Sequence, residues 1–254
     1  MKKIMKVNWK LALLCLATLT MVACGDKNPA EYSDDDEGSD YESPIKINDH
    51  SIADWDALDP AKVAVSEITN DPLYTALKKI KVYADHVYIN FILFYDPNEW
   101  KALSEEDFLH IYMNADNNDE TGGYWDQFDA PNQGNTDLMF EGVVWDAEGT
   151  TFSYNLPTVN KWAGEPNDEG WKWEVLPTTG TVANTQIVEP GILEGRLTKK
   201  FIPFDKWTSA FEIGFDIQQN HESVGLLPQI NTPDGEHIGR SRKLYVEFDM
   251  SQKK

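Results

Sequence analysis

The chain has 254 residues, and its 43 Asp and Glu against 22 Lys and Arg give a net charge of −21. Nucleic acid is not expected as a partner, because binding to phosphates needs clustered Lys and Arg. An anionic membrane surface would also repel the chain, so membrane attachment has to be covalent or hydrophobic. The hydrophobic content of 41%, with 12% aromatic residues, excludes wholesale disorder and predicts a folded domain.

Residues 1–23 are predicted to be a secretory signal peptide. Four lysines precede an apolar run over residues 11–22, which only Thr18 and Thr20 interrupt. A membrane-spanning helix needs about 20 apolar residues. The run is therefore too short to be an anchor and is typical of the core of a signal peptide.

The signal peptide ends at a cysteine. Residues 21–25, Met-Val-Ala-Cys-Gly, resemble the lipobox of bacterial lipoproteins, with Met21 where Leu is usual. The resemblance implies that Cys24 is acylated and attaches the protein to a membrane; the alternative is an ordinary signal peptide with an incidental cysteine. Cys15 lies within the signal core, so Cys24 would be the lone thiol of the mature chain, and no disulfide could form. Acyl chains contribute about 0.8 kcal/mol per buried methylene, which gives lasting attachment.

Residues 24–46 are predicted to be a disordered, lipidated tether. They include eight acids and two lysines, with the densest acidic stretch at residues 34–37. Like charges repel one another and extend such a segment. An acidic cluster shortly after a lipidated cysteine resembles the surface-export signals of Bacteroidetes lipoproteins, which implies an outer-membrane lipoprotein at the cell surface. The alternative is a solvated spacer.

Residues 47–254 are predicted to form one all-β domain, a single antiparallel β-sandwich of the jelly-roll-like kind. Alternating apolar residues predict strands around residues 80–84, 87–95, 109–113, 171–175, 211–217 and 244–248. Residues 87–95 are apolar on both faces, which predicts a central strand covered on both sides. Clusters of Gly, Pro, Asn and Asp separate the runs.

Several motifs in this body belong to one recognisable pattern. They are an opening strand at 45–55 ending in Asp54-Trp55, a hairpin at 81–94, an Asp-rich loop at 114–123, an Asp-x-x-x-Glu strand at 135–142 and a late strand at 194–204. Together they resemble the family 9-type carbohydrate-binding modules, a DOMON-like β-sandwich. The resemblance implies a core position for Trp55, and either sugar binding or an accessory interaction role. His50 replaces the usual Gly, and residues 155–190 have no counterpart.

The Asp-rich loop is a candidate calcium site. Asp116, Asn118 and Glu120 put oxygen ligands at alternate positions, and the Gly residues that follow allow the chain to curl. Calcium takes six to eight oxygen ligands. In the family that this chain resembles, an acid from the next strand closes the shell, which implies Asp137. The alternative is a plain turn, since Asn and Asp favour turns without any metal.

Exposed tryptophans are candidate glycan-binding residues, because sugar rings stack on flat aromatic rings. Trp125, Trp162, Trp171 and Trp173 lie in or beside polar, Gly- and Pro-rich segments, where binding residues concentrate. Asp126 and Asp129 could accept hydrogen bonds from sugar hydroxyls. Two positions apart on one predicted strand, Trp171 and Trp173 should be both exposed or both buried. The alternative is that these rings lie at the edge of the core.

An enzyme is not predicted. The five histidines do not form a His-Glu-x-x-His motif, and neither a Gly-x-Ser-x-Gly elbow nor a phosphate-binding loop is present. The sequence therefore predicts a lipid-anchored surface module that binds a neutral polysaccharide or oligosaccharide. The main alternative is an interaction subunit that docks another cell-envelope protein, and a weaker one is a glycoside hydrolase.

Overall fold

The structure is a computed structural model, and it describes residues 41–47, 49–68, 74–102, 107–123, 135–143, 158–166, 168, 171–180, 182–229 and 243–251. The signal peptide and Cys24 lie outside the described residues, as do Trp125, Asp126 and Asp129. The chain divides into two compact units, Met1–Glu42 and Ser43–Lys254, and the folded domain is the second. Within the described ranges no helix is long and apolar enough to cross a membrane.

Strands dominate the second unit, which confirms the prediction of an all-β fold. The elements are α1 Ala53–Ala57, β1 Ala64–Glu67, β2 Leu77–Asp85, β3 Tyr88–Tyr95, β4 Asp107–Asn114, β5 Leu138–Val143, β6 Thr158–Trp162, β7 Trp173–Val175, β8 Ala183–Glu189, β9 Ile192–Thr198, β10 Ala210–Gln219, β11 Glu222–Leu227 and β12 Leu244–Asp249. Short 3₁₀ helices occur at Pro60–Lys62 and Lys199–Phe201.

All of these strands belong to one curled sheet. Its order is β7-β6-β5-β4-β10-β12-β2-β3-β9-β8, with β1 added to β2 and β11 added to β10. The strand pairs are antiparallel except β12 and β2, which run parallel through Phe248–Ala84 and Asp249–Asp85. The sheet is therefore mixed. β12 joins half-sheet 1 (β1, β2, β3, β9 and β8) to half-sheet 2 (β4, β5, β6, β7, β10 and β11).

The inner faces of the two half-sheets meet in one apolar core. The rings of Phe91 on β3 and Phe215 on β10 are 5.1 Å apart, and those of Phe211 and Phe248 are 4.9 Å apart. The residues that surround them alternate along their strands as the sequence predicted: Ile80, Val82, Ile89, Leu93, Leu109, Ile111, Met113, Ile213 and Ile217. Full burial of such a side chain stabilises the fold by about 1.5–3 kcal/mol.

β3 is covered on both sides, as its two-faced pattern predicted. Ile89 and Phe91 point into the core, whereas Ile92 points outward and packs against Ile45 and Trp55. This outer cover is the described part of residues 43–58, which is called the strap from here on. Trp55 is buried in it, so its predicted core position is confirmed.

The strap is not the opening strand that the family resemblance implied. Its described residues form irregular backbone followed by α1. Polar side chains bond to neighbouring backbone groups, since Asp54 Oδ2 accepts from the Lys46 N–H and Asp49 Oδ1 accepts from the Ser51 N–H at 2.9 Å. Such local bonds compete with strand pairing. His50 has a φ of 55°, in the left-handed region that suits the glycine it replaces.

The segment without a counterpart in the family pattern builds both ends of the sheet. Residues 155–190 contain β6 and β7, which extend half-sheet 2 beyond β5. They also contain β8, which pairs with β9 and ends half-sheet 1. The hairpin of β6 and β7, with the residues that connect them, positions three of the predicted tryptophans.

Candidate functional site

The loop after β4 curls on its own side chains. The Thr121 hydroxyl donates to Asp116 Oδ1 and Oδ2 at 2.9 and 3.0 Å, and Asp116 Oδ1 also accepts from the Asn118 N–H at 3.1 Å. Asn118 Oδ1 in turn accepts from the Glu120 N–H at 3.0 Å. Gly122, with a φ of +78°, packs where any side chain would strike the backbone of residues 135 and 136. Residues 114–123 are called the acid-amide loop below.

Asp137, just before β5, closes against this loop. Its Oδ2 accepts from the Ala115 N–H at 2.8 Å and from the Asp116 N–H at 3.3 Å, and the side chain is buried. Burial and then the like charge of Asp116 raise the pKa of Asp137 to about 6. The structure thus brings Asp116 and Asp137 together, while Glu120 is exposed at the surface of the loop.

The other side of the loop has a protein cation of its own, which the sequence did not reveal. Asn135 Nδ2 donates to Asp119 Oδ1 at 2.8 Å and to Glu212 Oε2 at 3.1 Å, and buried Lys243 donates to Asn135 Oδ1 at 2.8 Å. In the part of the chain that the structure describes, no group of three or more His, Cys, Asp or Glu side chains could hold a metal ion.

Trp162 and Trp173 are buried, with 6% and 8% of their surface exposed. Their rings meet edge to face at 5.2 Å and pack with Tyr112 and Met139 on the outer face of half-sheet 2. The burial of these two rings corrects the prediction that they bind a glycan. The β6–β7 hairpin folds them back against the sheet, where burying a large ring is more favourable than leaving it in water.

Trp171, by contrast, is 65% exposed. The prediction that Trp171 and Trp173 share one environment was wrong, because β7 begins at Trp173 and Trp171 precedes the pleated strand. Beside it, Lys172 donates to Asp168 Oδ2 at 2.6 Å, and that oxygen also accepts from the Glu165 N–H at 3.0 Å. The residue that follows the exposed ring is therefore bonded back to the hairpin.

Trp162 connects the acid-amide loop to this hairpin. Its backbone N–H donates to the Asp137 carbonyl at 2.9 Å, and its Nε1 donates to the Glu165 carbonyl at 3.1 Å. The ring packs so closely on Gly123 that a Cβ there would lie 2.3 Å from it. The loop and the Trp171 hairpin therefore share one end of half-sheet 2 and one buried support.

A second cluster of titratable groups lies on the outer face of half-sheet 2. Glu141, His110 and Asp216 are neighbours in register on β5, β4 and β10 and are called the polar row. His110 Nε2 lies 3.1 Å from Glu141 Oε2, and this hydrogen bond lowers the pKa of Glu141. Burial raises the pKa of Asp216, whose Oδ2 accepts from Gln218 Nε2 at 2.6 Å. Sequence reasoning missed the row because its members are up to 106 positions apart.

Comparisons with known proteins do not assign the chain to a family. No protein-family model matches the chain, and a search of curated proteins finds no match.

Proposed function

We propose that the domain is a glycan-binding module with its binding surface centred on Trp171. The observation that supports this function is the 65% exposed indole ring on a hairpin held by the Lys172–Asp168 ion pair. A flat, rigid ring provides a large stacking area at a small cost in conformational entropy. Trp162 and Trp173 support this hairpin from beneath, and Trp125 with Asp126 and Asp129 remains a proposed part of the surface outside the described residues.

Charge limits the class of glycan. With a net charge of −21, the chain repels acidic polysaccharides and is indifferent to neutral ones. The proposed ligand is therefore a neutral polysaccharide or oligosaccharide.

Affinity electrophoresis tests this proposal. The mature chain is run through native gels that contain one neutral polysaccharide each, for example a glucan, a mannan or a xylan. We expect retardation in at least one gel, its loss in Trp171→Ala, and its retention in Tyr245→Ala, a matched control because Tyr245 is also an exposed ring. Retardation that persists in Trp171→Ala contradicts the role of Trp171, and mobility unchanged in every gel contradicts glycan binding.

We also propose that calcium binds at the acid-amide loop. Asp116 and Asp137 converge there, and Asn118 and Glu120 lie in the same turn, so the donor set consists of oxygens as calcium requires. A bound ion would offset the repulsion between the two carboxylates and tie the loop to β5. Because Trp162 supports both loop and hairpin, such an ion would also stiffen the proposed glycan surface.

Calorimetry with calcium chloride on chelator-treated mature chain measures this binding. We expect heat of binding that Asp137→Asn abolishes and that Asp119→Asn retains, because Asp119 faces the Lys243 side of the loop. Binding should also raise the melting temperature as the calcium concentration rises. No heat at millimolar calcium, or heat unchanged in Asp137→Asn, contradicts the site.

The first residues of the sequence support a proposal for the location of the protein. We propose that acylation of Cys24 anchors the chain to the outer membrane and that the acidic tether presents the domain at the cell surface; the lipobox-like residues 21–25 support this proposal. Cys24→Ala should shift the protein from the membrane fraction to the soluble fraction. External protease should degrade the wild-type domain on intact cells. Membrane retention of the variant contradicts the lipid anchor.

A further inference from the structure

A groove separates two strands that both adjoin β2. β1 pairs with β2 through Ala64–Glu67, whereas β12 pairs with it only at Phe248 and Asp249. The earlier part of β12 therefore diverges from β2. β1 pairs with β2 along the edge from which β12 has diverged. The groove has a volume of about 390 Å³ and is lined by residues 61–64 and 245–250. Within the described ranges, no backbone hydrogen bond joins β1 to β12.

Backbone donors and acceptors face this groove from both strands. The Ile68 N–H donates to the Lys78 carbonyl, so by the alternation of an antiparallel ladder the backbone groups of Val65 and Glu67 point away from β2. In the same way, the Phe248 N–H donates to the Ser209 carbonyl, and the backbone groups of Tyr245 point away from β10. Edges of this kind are templates for another strand.

Exposed apolar side chains also line this groove. Tyr245 and Met250 are among its lining residues, with 49% and 45% of their surface exposed. Val65, on the neighbouring β1, is 45% exposed. Exposed apolar side chains of this kind favour contact with a partner.

The groove has an excess of negative charge. Lys62 is paired with Asp249 at 2.8 Å, and Lys79 is paired with Glu67. Glu247 also lines the groove, and its carboxylate accepts a hydrogen bond from the Tyr245 hydroxyl at 3.3 Å. A partner segment with basic side chains would neutralise Glu247, and the net charge of −21 would attract such a segment from a distance.

We propose that this groove binds an extended segment of another protein by strand addition, and that the segment alternates apolar and basic residues. Main-chain hydrogen bonds to Val65 and Tyr245 supply affinity, and contact with Met250 and Glu247 supplies selectivity. The groove shares no residue with the Trp171 hairpin. The docking function is thus separate from glycan binding, and each stands if the other fails.

A peptide of designed sequence tests the groove without knowledge of the partner. The probe is the blocked peptide Thr-Lys-Val-Lys-Val-Lys-Thr, added to the full mature chain produced without acylation, and the control peptide has Glu in place of Lys. We expect the basic peptide to bind at least tenfold more tightly. On binding, amide hydrogen exchange should slow at least tenfold at Val65, Glu67 and Tyr245, and stay unchanged at Ser66, which already bonds to β2.

Two variants make the outcome decisive. Val65→Pro removes a groove-facing N–H that β2 does not use, so the fold should persist while peptide binding falls at least tenfold; Val65→Thr should bind normally. If Val65→Pro does not fold, Glu247→Lys decides, because it should weaken the binding of the basic peptide at least tenfold. The proposal is overturned if the basic peptide does not bind at millimolar concentration, or if Val65→Pro binds it normally. It is also overturned if ultracentrifugation shows a dimer that Val65→Pro dissociates, because a second copy then fills the groove.

Discussion

The outer faces of the two half-sheets are covered in different ways. The strap lies over half-sheet 1 and brings a separate segment of the chain, led by Ile45 and Trp55, against Tyr83 and Ile92. The outer face of half-sheet 2 instead holds the polar row and the Trp162–Trp173 pair, which belong to its own strands. The inner faces follow one apolar pattern, so what distinguishes the half-sheets is on their outer faces.

The cover of half-sheet 1 is fastened by buried polar contacts. Trp55 Nε1 donates to Glu194 Oε1 at 2.6 Å, and Arg196 donates to the Ile45 carbonyl. Burial, together with the nearby charge of Asp54, raises the pKa of Glu194 to about 8. The carboxyl group beneath the strap therefore keeps its proton to a higher pH than an exposed one, because burial disfavours its charged form.

The polar row of half-sheet 2 is open to solvent at one end. Asp216 is fully buried, whereas the side chain of Glu141 is 38% exposed. His110 lies between them, stacked at 5.9 Å on the ring of Tyr112. The comparison shows that the strap covers the outer face of half-sheet 1, whereas half-sheet 2 leaves Glu141 and Trp171 in contact with solvent.

Among these tests of the two outer faces, removal of the Trp55 side chain should cause the largest loss of stability. Trp55→Ala takes the main ring out of the strap contact and should lower the free energy of unfolding by about 3–5 kcal/mol. Urea denaturation measures the loss. The matched control Trp171→Ala, an exposed ring of the other half-sheet, should change it by less than about 0.5 kcal/mol. Equal effects of the two substitutions would remove the distinction between the faces.

The pH dependence of the strap is the next test. Below about pH 4.5 the Glu194 carboxyl is protonated in both the folded and the unfolded chain. Between about pH 4.5 and about pH 8 only the folded chain keeps this proton. The contribution of Glu194 to stability should therefore decline as pH rises through this window and level off above it. Glu194→Gln keeps an acceptor for Trp55 and removes the titration. The urea midpoint of wild type minus that of Glu194→Gln should fall from pH 5 to 8, and a constant difference contradicts this role of Glu194.

A smaller effect is expected in the polar row. Glu141→Gln removes a charge-assisted hydrogen bond to His110, and because Glu141 is partly exposed the loss should be about 1 kcal/mol. Thermal unfolding at pH 7 measures it. Glu174→Gln, an exposed acid on β7, serves as the control and should be neutral. A loss as large as that of Trp55→Ala would mean that the row is a structural seal like the strap.

The smallest effect should come from the hairpin. The Lys172–Asp168 pair is exposed, so Lys172→Ala should lower stability by less than about 0.5 kcal/mol. The same substitution should clearly weaken glycan retardation in the native gel, because Lys172 is bonded beside Trp171. Retardation that is unaffected would show that the ring needs no such support.

Local patterns in the sequence predicted much of this fold. The alternation of Phe211, Ile213 and Phe215 placed them in the core, because the period of a strand depends on adjacent residues alone. The turn at Asp85 was also predictable, since its Oδ1 accepts from the N–H groups of Val87 and Tyr88 at 2.8 and 2.7 Å.

The rest depended on contacts between distant segments. His110, Glu141 and Asp216 meet only because β5, β4 and β10 are neighbours in the sheet, and no local spacing contains that order. The difference between Trp171 and Trp173 depends on the residue at which β7 begins, which the pairing with β6 decides. The convergence of Asp116 on Asp137 was predicted from the family resemblance.

The place of β12 bears on how the domain is synthesised. β12 is the last of the described strands to leave the ribosome, and it is the strand that joins β10 to β2. Until residues 244–249 have been made, each half-sheet keeps an unpaired edge and the common core stays open between them. The domain therefore completes its sheet only after its last described strand has been made.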